Sequence, residues 1–202
     1  MSQTFLLMSS SKFFTEKAQA FFDRPLEQER IAYITTAAKG TASRAHSEEC
    51  IRRMTMKEYR FEEIDIEGKD EFALRKMLKD KTMILVAGGN TFYLLKHVKE
   101  SGFDIVVKEL VDQGVVYAGS SAGAYIACPT IEMAAWKGRD SNHVGLTDLT
   151  AMNLVPFLIV AHYEPEQKEI IEKHVNASKY PVKILTDEQA LLVADGKVTQ
   201  AQ

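Results

Sequence analysis

The chain has 202 residues, of which 46% are hydrophobic and 26% charged, and its formal net charge is −3. These values are typical of a folded globular protein, and the near-neutral charge excludes an electrostatic case for nucleic acid or an anionic membrane as partner. No apolar run reaches the roughly 20 residues that a membrane-spanning helix needs. We therefore expect a single domain over residues 1–202 in a cytoplasmic protein, with an oligomeric state that the sequence leaves open.

Short apolar runs alternate with helical patterns along the first 120 residues. The runs are typical of buried strands and cover 4–9, 30–35, 61–66, 82–86 and 115–117. Helical spacing covers 16–22, with Thr15 as N-cap, and then 45–59, 71–79, 91–99 and 103–112. This alternation predicts a three-layer α/β fold, in which helices cover both faces of a mostly parallel sheet.

The remaining residues begin with an irregular block over 129–153, followed by a strand at 158–161. A helix to about residue 177 and strands at 182–185 and 190–194 come next. The pair Asp195-Gly196 then predicts a hairpin turn before a last strand. In parallel sheets ligands bind outside the carboxyl ends of the strands. Two glycine-rich turns, 87–90 and 119–123, are expected at that edge.

The second glycine-rich turn reads Gly-Ser-Ser-Ala-Gly, which fits the pattern G-x-S-x-G with Ser121 at its centre. The pattern is typical of a serine on a sharp strand-to-helix turn, where a Cβ at either glycine would collide across the turn. The hydroxyl would project from the end of a strand, beside amides that open a helix and could stabilise an oxyanion. We predict Ser121 as a nucleophile.

A serine hydroxyl needs a base to accept its proton. Of the five histidines, we expect His46, His97 and His174 on helix surfaces, and His143 lies in the irregular block. His162 differs, because an apolar strand carries it to the same sheet edge as Ser121. We predict His162 as the base.

The base usually needs an acid at its other ring nitrogen. The residues alone leave four candidates open: Glu132, Asp140, Asp148 and Glu164.

The Gly88-Gly89 turn supplies a backbone N–H that a substrate oxygen can approach, and the amides of Gly89 and Ala122 together would form an oxyanion hole. The turn does not fit a phosphate-binding loop, and no histidine pair has metal-ligand spacing, so we expect no cofactor and no metal. We expect Cys128 to be a buried packing residue.

The motifs taken together resemble peptidase family S51, which includes dipeptidase E and the cyanophycinases. The resemblance rests on 87–95, on 119–124 with 127–130, on a strand ending in His162-Tyr163, and on a first strand ending in three serines. It spans about residues 4–195. It implies a fold like that of the class I glutamine amidotransferases, with a nucleophile elbow, in which Ser121 replaces their cysteine.

The resemblance also implies site roles. Ser121 would be the nucleophile, His162 the base, and the Gly89 and Ala122 amides would face the oxyanion. The acid would follow the serine in the loop, where Trp136 occupies the ungapped position. Allowing a short insertion implies Asp140, with Glu132 as the second choice.

We therefore expect a serine exopeptidase or dipeptidase that cleaves small peptides, such as those with N-terminal aspartate, through an acyl-enzyme. The residues that bind the substrate are not identifiable from the sequence. Two alternatives use the same residues: a hydrolase of non-peptide amides or esters, and a homologue that binds small ligands without catalysis.

Overall fold

The computed structural model describes residues 3–138 and 140–202, and these form a seven-stranded sheet and a separate two-stranded sheet. The large sheet has the order β3-β2-β4-β5-β1-β8-β9. Its strands are β1 Thr4–Met8, β2 Arg30–Ile34, β3 Arg60–Ile64, β4 Met83–Val86, β5 Val116–Ser120, β8 Ala190–Ala194 and β9 Lys197–Ala201. The first five run parallel. At one edge β8 pairs antiparallel with β1, and β9 pairs antiparallel with β8. The predicted mostly parallel α/β sheet is confirmed.

Apolar side chains cover both faces of this sheet. In β1, Phe5 and Leu7 pack into one hydrophobic cluster and Leu6 and Met8 into another, all of them buried. Successive side chains of a strand point to opposite faces, so a run that is apolar at every position has to be buried on both sides.

Seven α-helices are formed by the described residues. They are α1 Ser11–Lys17, α2 Ala45–Met56, α3 Glu71–Leu78, α4 Thr91–Ser101, α5 Phe103–Asp112, α6 Ala122–Tyr125 and α7 Lys168–Ala177. The predicted start of the first helix was wrong, because Ser10 rather than Thr15 is its N-cap and its hydroxyl accepts a hydrogen bond from the Lys12 amide. Thr15 lies inside the helix and donates to the Lys12 carbonyl oxygen. None of these helices is both long and apolar enough to cross a membrane.

The strand that leads to His162 was expected in the main sheet, and this expectation was wrong. That strand is β6, Leu158–Val160, and it pairs in parallel with β7, Val182–Ile184, to form the two-stranded sheet. Both strands therefore end at the same edge of this small sheet, which places the residues after β6 beside those after β7.

The predicted hairpin at Asp195-Gly196 is confirmed, since it joins the antiparallel strands β8 and β9. Both turn residues have positive φ, 50° for Asp195 and 76° for Gly196, as the type I′ turn of a two-residue hairpin loop requires.

Candidate active site

Ser121 is the single residue between β5 and α6. Its φ is 50° and its ψ is −111°, a region that non-glycine residues rarely occupy and that costs about 1–3 kcal/mol. Two hydrogen bonds hold it there: its amide donates to the Met8 carbonyl oxygen at 3.0 Å, and its carbonyl oxygen accepts from the Tyr125 amide at 2.9 Å. The serine is thus fixed at the end of the sheet by the backbone on both sides.

The flanking glycines allow this turn, as the sequence pattern predicted. A Cβ added to Gly119 would lie 2.4 Å from the carbonyl oxygen of Gly123. A Cβ added to Gly123 would lie 2.3 Å from the carbonyl oxygen of Val86. Both distances are far inside van der Waals contact, so neither position accepts a side chain without moving backbone.

His162 lies against Ser121. Its Nε2 is 2.9 Å from the serine Oγ, a hydrogen-bond distance that suits proton transfer. Its own backbone has φ of 54°, again the left-handed region. The structure therefore brings together the two residues that the sequence predicted as nucleophile and base.

The other ring nitrogen of His162 faces Asp187. Nδ1 lies 2.5 Å from Asp187 Oδ1. A carboxylate can only accept, so it holds the proton of a neutral imidazole on Nδ1 and leaves Nε2 free to accept from Ser121. The Asp187 side chain is 59% exposed and that of His162 29%, so solvent screens this pair in part.

Asp187 was not among the acids considered from the sequence. It lies in the short turn between β7 and β8, and it reaches His162 because β6 and β7 are parallel neighbours. The Leu185 amide donates to the Val160 carbonyl oxygen and the Tyr163 amide to the Leu185 carbonyl oxygen, which continues the pairing past the strand ends. The available signal was an acidic residue just after a strand, in the turn Thr-Asp-Glu-Gln.

Asp140, the expected acid, has a different partner. Its Oδ2 accepts hydrogen bonds from the amide of Thr91, at 3.0 Å, and from the Thr91 hydroxyl. Thr91 is the first residue of α4, whose leading amides have no partner within the helix and favour a negative charge. The carboxylate of Asp140 therefore helps to cap α4 beside its N-cap residue, Asn90. The carboxylate that faces Nδ1 of His162 is that of Asp187.

We expect Asp140→Ala to act mainly on stability. Removing the cap should lower the free energy of unfolding by about 1 kcal/mol, because the Thr91 amide loses its partner. Urea unfolding followed by circular dichroism measures this change. Asp140→Asn, which keeps an acceptor oxygen, is the matched control and should recover part of the loss. A kcat loss in Asp140→Ala as large as that in Asp187→Ala would contradict the assignment of the acid.

The other three candidate acids also have contacts away from His162. Asp148 pairs with Lys99, whose ammonium group lowers the pKa of the carboxyl. Glu164 is the N-cap of a turn and forms a capping box with Gln167. Glu132, the second choice by resemblance, begins a short 3-10 helix, and its amide donates to the Thr130 hydroxyl.

A second glycine turn faces Ser121. Gly89 has φ of 146°, and a Cβ there would lie 2.2 Å from the Ala37 carbonyl oxygen. A Cβ on Gly88 would lie 3.2 Å from the Cβ of Ser121. The backbone of this turn therefore passes close to the serine, with no side chain between them.

Not every histidine lies where the sequence placed it. His97 is buried rather than on a helix surface, since its side chain is only 8% exposed. Its ring contacts that of Tyr93, with centroids 4.6 Å apart, and its Nε2 lies 4.0 Å from Glu67. Cys128 is fully buried, as predicted, and burial raises the pKa of its thiol.

Ser121 and His162 open into a cleft of about 560 Å³. Its lining includes the Gly88-Gly89 turn, the loop before α2 with Thr41, Ser43 and Arg44, and the side chain of Lys137. Within residues 3–138 and 140–202, no group of three His, Cys, Asp or Glu side chains is arranged to hold a metal ion.

Comparison with known proteins matches this chain to one family. The sequence model of Peptidase family S51 matches residues 5–201. An uncharacterized peptidase of Pasteurella multocida is 29% identical over 174 residues, which cover 83% of each chain. An uncharacterized peptidase of Listeria monocytogenes is 29% identical over 180 residues, or 88% of each chain. Peptidase E of Escherichia coli is 37% identical over 89 residues, 43% of this chain and 36% of that protein.

Solved structures share the fold. A Listeria monocytogenes EGD-e protein described as a candidate peptidase E superposes with a TM-score of 0.88 at 28% identity, covering 100% of this chain and 99% of its own. A peptidase from an acI-B1 Actinobacterium superposes with a TM-score of 0.69 at 16% identity, covering 100% of this chain and 94% of its own. At that identity the second likeness concerns the fold alone.

Proposed function

The chain belongs to peptidase family S51 and is a serine peptidase, and on that premise we propose that it is a dipeptidase-like exopeptidase that cleaves small peptides through an acyl-enzyme at Ser121. The observation that carries the proposal is the 2.9 Å contact between Ser121 Oγ and His162 Nε2, with Asp187 at the opposite ring nitrogen. Nucleophile, base and orienting acid are the groups that acyl transfer through a serine requires.

The reaction follows from these positions. Ser121 Oγ attacks the carbonyl carbon of the substrate while its proton passes to His162 Nε2, and the imidazolium that forms is stabilised by Asp187. Collapse of the tetrahedral intermediate breaks the C–N bond, and the leaving amine takes the proton from Nε2. Water then attacks the ester with His162 as base again, which releases the acid product and restores the serine.

We assign the oxyanion hole to the amides of Gly89 and Ala122. Among the described residues neither amide donates to another group of the protein. Ala122 is the first residue of α6, where amides are unpaired by geometry, and the φ of Gly89 allows its backbone to turn toward the cleft. Two such donors beside the nucleophile support the view that the β5–α6 turn is a nucleophile elbow in a fold of the class I glutamine amidotransferase type.

The size of the cleft supports a short substrate. A volume of about 560 Å³ accommodates a ligand of the size of a dipeptide. A longer peptide would have to leave the cleft at one end, and a folded protein could not enter it.

The charges in the cleft support a substrate with a carboxylate, such as a peptide with N-terminal aspartate. Two Arg or Lys side chains of the described residues line the cleft, Arg44 and Lys137. Lys137 Nζ donates to the carbonyl oxygens of Ala161 and His162. Arg44 is exposed, and in the part of the chain that the structure describes it has no ion-pair partner. We therefore assign the recognition of a substrate carboxylate to Arg44.

A dipeptide panel tests this assignment. We expect Arg44→Leu to raise KM about 10-fold or more for Asp-Leu, because a hydrogen bond to a charged group contributes about 1.5–3 kcal/mol, and to leave KM for Ala-Leu nearly unchanged. Asp-Leu-amide and Ala-Leu separate the two possible carboxylates, since the first lacks the C-terminal one and the second lacks the side-chain one. Steady-state release of leucine or its amide gives kcat and KM.

Two outcomes would contradict the proposal. If Arg44→Leu changed KM equally for Asp-Leu, Asp-Leu-amide and Ala-Leu, Arg44 would have no role in recognising a substrate carboxylate. Hydrolysis of a chromogenic ester without cleavage of any dipeptide or tripeptide by the wild type would favour a non-peptide hydrolase at the same serine.

A further inference from the structure

Ser9 follows β1 and contacts both His162, the proposed base, and Asp187, the proposed acid. Its side chain is fully buried. Its Oγ accepts a hydrogen bond from the backbone amide of His162 at 2.7 Å and lies 2.8 Å from Asp187 Oδ1. One hydroxyl therefore joins the base to the acid, although Ser9 precedes His162 by 153 positions and Asp187 by 178.

The direction of the Ser9 proton is determined by its partners. The His162 amide can only donate, so it occupies a lone pair of Ser9 Oγ. The Asp187 carboxylate can only accept, so the Ser9 proton points to Oδ1. That oxygen is also the one 2.5 Å from His162 Nδ1. Ser9 thus selects which carboxylate oxygen faces the imidazole.

The backbone of His162 needs such a restraint. Its φ of 54° is costly for a residue with a Cβ and persists only when neighbours hold it. Ser9 Oγ binds its amide, and Lys137 Nζ binds its carbonyl oxygen at 3.0 Å. The preceding amide, of Ala161, donates to the Tyr125 hydroxyl at 3.0 Å.

The end of β1 also anchors the nucleophile and the turn of the acid. The Met8 carbonyl oxygen accepts from the Ser121 amide at 3.0 Å, and the Ser9 amide donates to the Gln189 carbonyl oxygen at 3.3 Å. Gln189 closes the turn that contains Asp187, since its amide donates to the Thr186 carbonyl oxygen. Met8, the last residue of β1, and the adjacent Ser9 are therefore bonded to the segments that hold Ser121, His162 and Asp187.

We propose that Ser9 is a positioning residue of the site: its hydroxyl sets the placement of Asp187 relative to His162 and holds the strained backbone of the histidine. It acts through the base and the acid, which its hydroxyl contacts directly. The inference rests on the proposed roles of Ser121, His162 and Asp187.

Ser9→Ala tests the proposal by the reactivity of Ser121. We expect kcat for dipeptides and the second-order rate constant of labelling by a fluorophosphonate to fall about 10- to 100-fold, since small misplacements of catalytic groups have effects of that size. KM should change far less. Ser9→Thr keeps the hydroxyl and should regain most of the rate. The proton resonance of His162 Nδ1–H, assigned by its loss in Asp187→Ala, should move or broaden in Ser9→Ala.

Thr15→Val is the matched control. Thr15 is a buried hydroxyl in α1 that donates one hydrogen bond and does not line the cleft. The Thr15→Val variant should lower the midpoint of thermal unfolding, as Ser9→Ala does, while leaving kcat and the resonance of His162 Nδ1–H unchanged. A double variant of Ser9→Ala with Asp187→Ala should lose less than the product of the two single effects, because Ser9 acts partly through Asp187.

Three results would overturn the proposal: wild-type labelling and kcat in Ser9→Ala, equal losses in Ser9→Ala and Ser9→Thr, or fully multiplicative losses in the double variant. If Ser9→Ala does not fold, Ser9→Cys, which keeps a weak donor of similar size, takes its place. Labelling and the histidine resonance need no peptide. A wild type that labels but cleaves no peptide would therefore contradict the proposed substrate and leave the test of Ser9 intact.

Discussion

Asp187→Ala should lower kcat for dipeptides by about 10²–10⁴-fold, up to the roughly 10⁴-fold loss that follows removal of the orienting acid in other serine hydrolases. In the proposed mechanism the carboxylate holds the proton on Nδ1 of His162 and stabilises the imidazolium formed when Ser121 attacks. Because the Asp187 side chain is 59% exposed, water can partly replace it, which favours the lower half of that range. KM should change little, since Asp187 makes its contacts to the base.

Asp187→Asn separates charge from orientation. Ser9 donates its proton to Oδ1 of Asp187, so an amide at this position would turn its oxygen, and not its nitrogen, toward Ser9 and His162. The proton of the imidazole would stay on Nδ1 and only the charge would be lost. We therefore expect Asp187→Asn to retain more activity than Asp187→Ala, as measured by the rate constant of a single turnover.

The matched control for both variants is Asp140→Ala, in which a carboxylate near the same cleft is removed from the N-terminus of α4. Equal kcat in Asp187→Ala and the wild type would show that the contact to Nδ1 has no role in the reaction. The acid would then have to be sought among other groups.

The sequence predicted Ser121 and His162 because each is marked by its local pattern. Gly119 and Gly123 indicate the turn, and an apolar run immediately before His162 indicates a strand end. The geometry of such elements is set by residues adjacent in the chain, so a single sequence contains the information.

Asp187 was not predicted because its position beside His162 depends on a strand pairing that no local sequence pattern records. The run at 182–185 was recognised as a strand, but its parallel partner is β6 and not a strand of the main sheet. Without that pairing, the turn after β7 has no expected relation to His162. Asp140 was preferred because its place in the chain fitted an alignment, whereas in the structure its carboxylate caps α4.

His97 was misplaced for a similar reason. Its neighbours Lys96 and Lys99 indicate a solvated helix face. In the structure α4 packs against the turn Thr36–Gly40. The His97 ring contacts Tyr93 of its own helix, and its Nε2 lies 4.0 Å from Glu67 in the segment after β3. Burial by a second element is a tertiary effect, and helical periodicity alone does not predict it.

Ser121→Ala should abolish labelling by a fluorophosphonate probe and lower kcat by about 10⁶-fold, as removal of the nucleophile does in other triad enzymes. The probe forms a bond from the serine oxygen to phosphorus and loses fluoride, so intact mass gives the adduct directly. His162→Ala should slow labelling strongly without abolishing it, because the hydroxyl remains but has no base 2.9 Å away. Ser120→Ala, in the neighbouring residue, controls for damage to the turn.

Labelling of the wild-type protein tests whether Ser121 is activated, as the proposed acyl-enzyme mechanism requires. The strained φ of Ser121, the glycines that permit it and the hydrogen bonds of the His162 ring to Ser121 and Asp187 are all present, and together they support an activated serine. Rapid labelling at Ser121 is therefore the expected result. A folded wild type that remains unlabelled by probes small enough for the 560 Å³ cleft would contradict an activated serine, and the peptide-cleaving reaction proposed for this site would have to be abandoned.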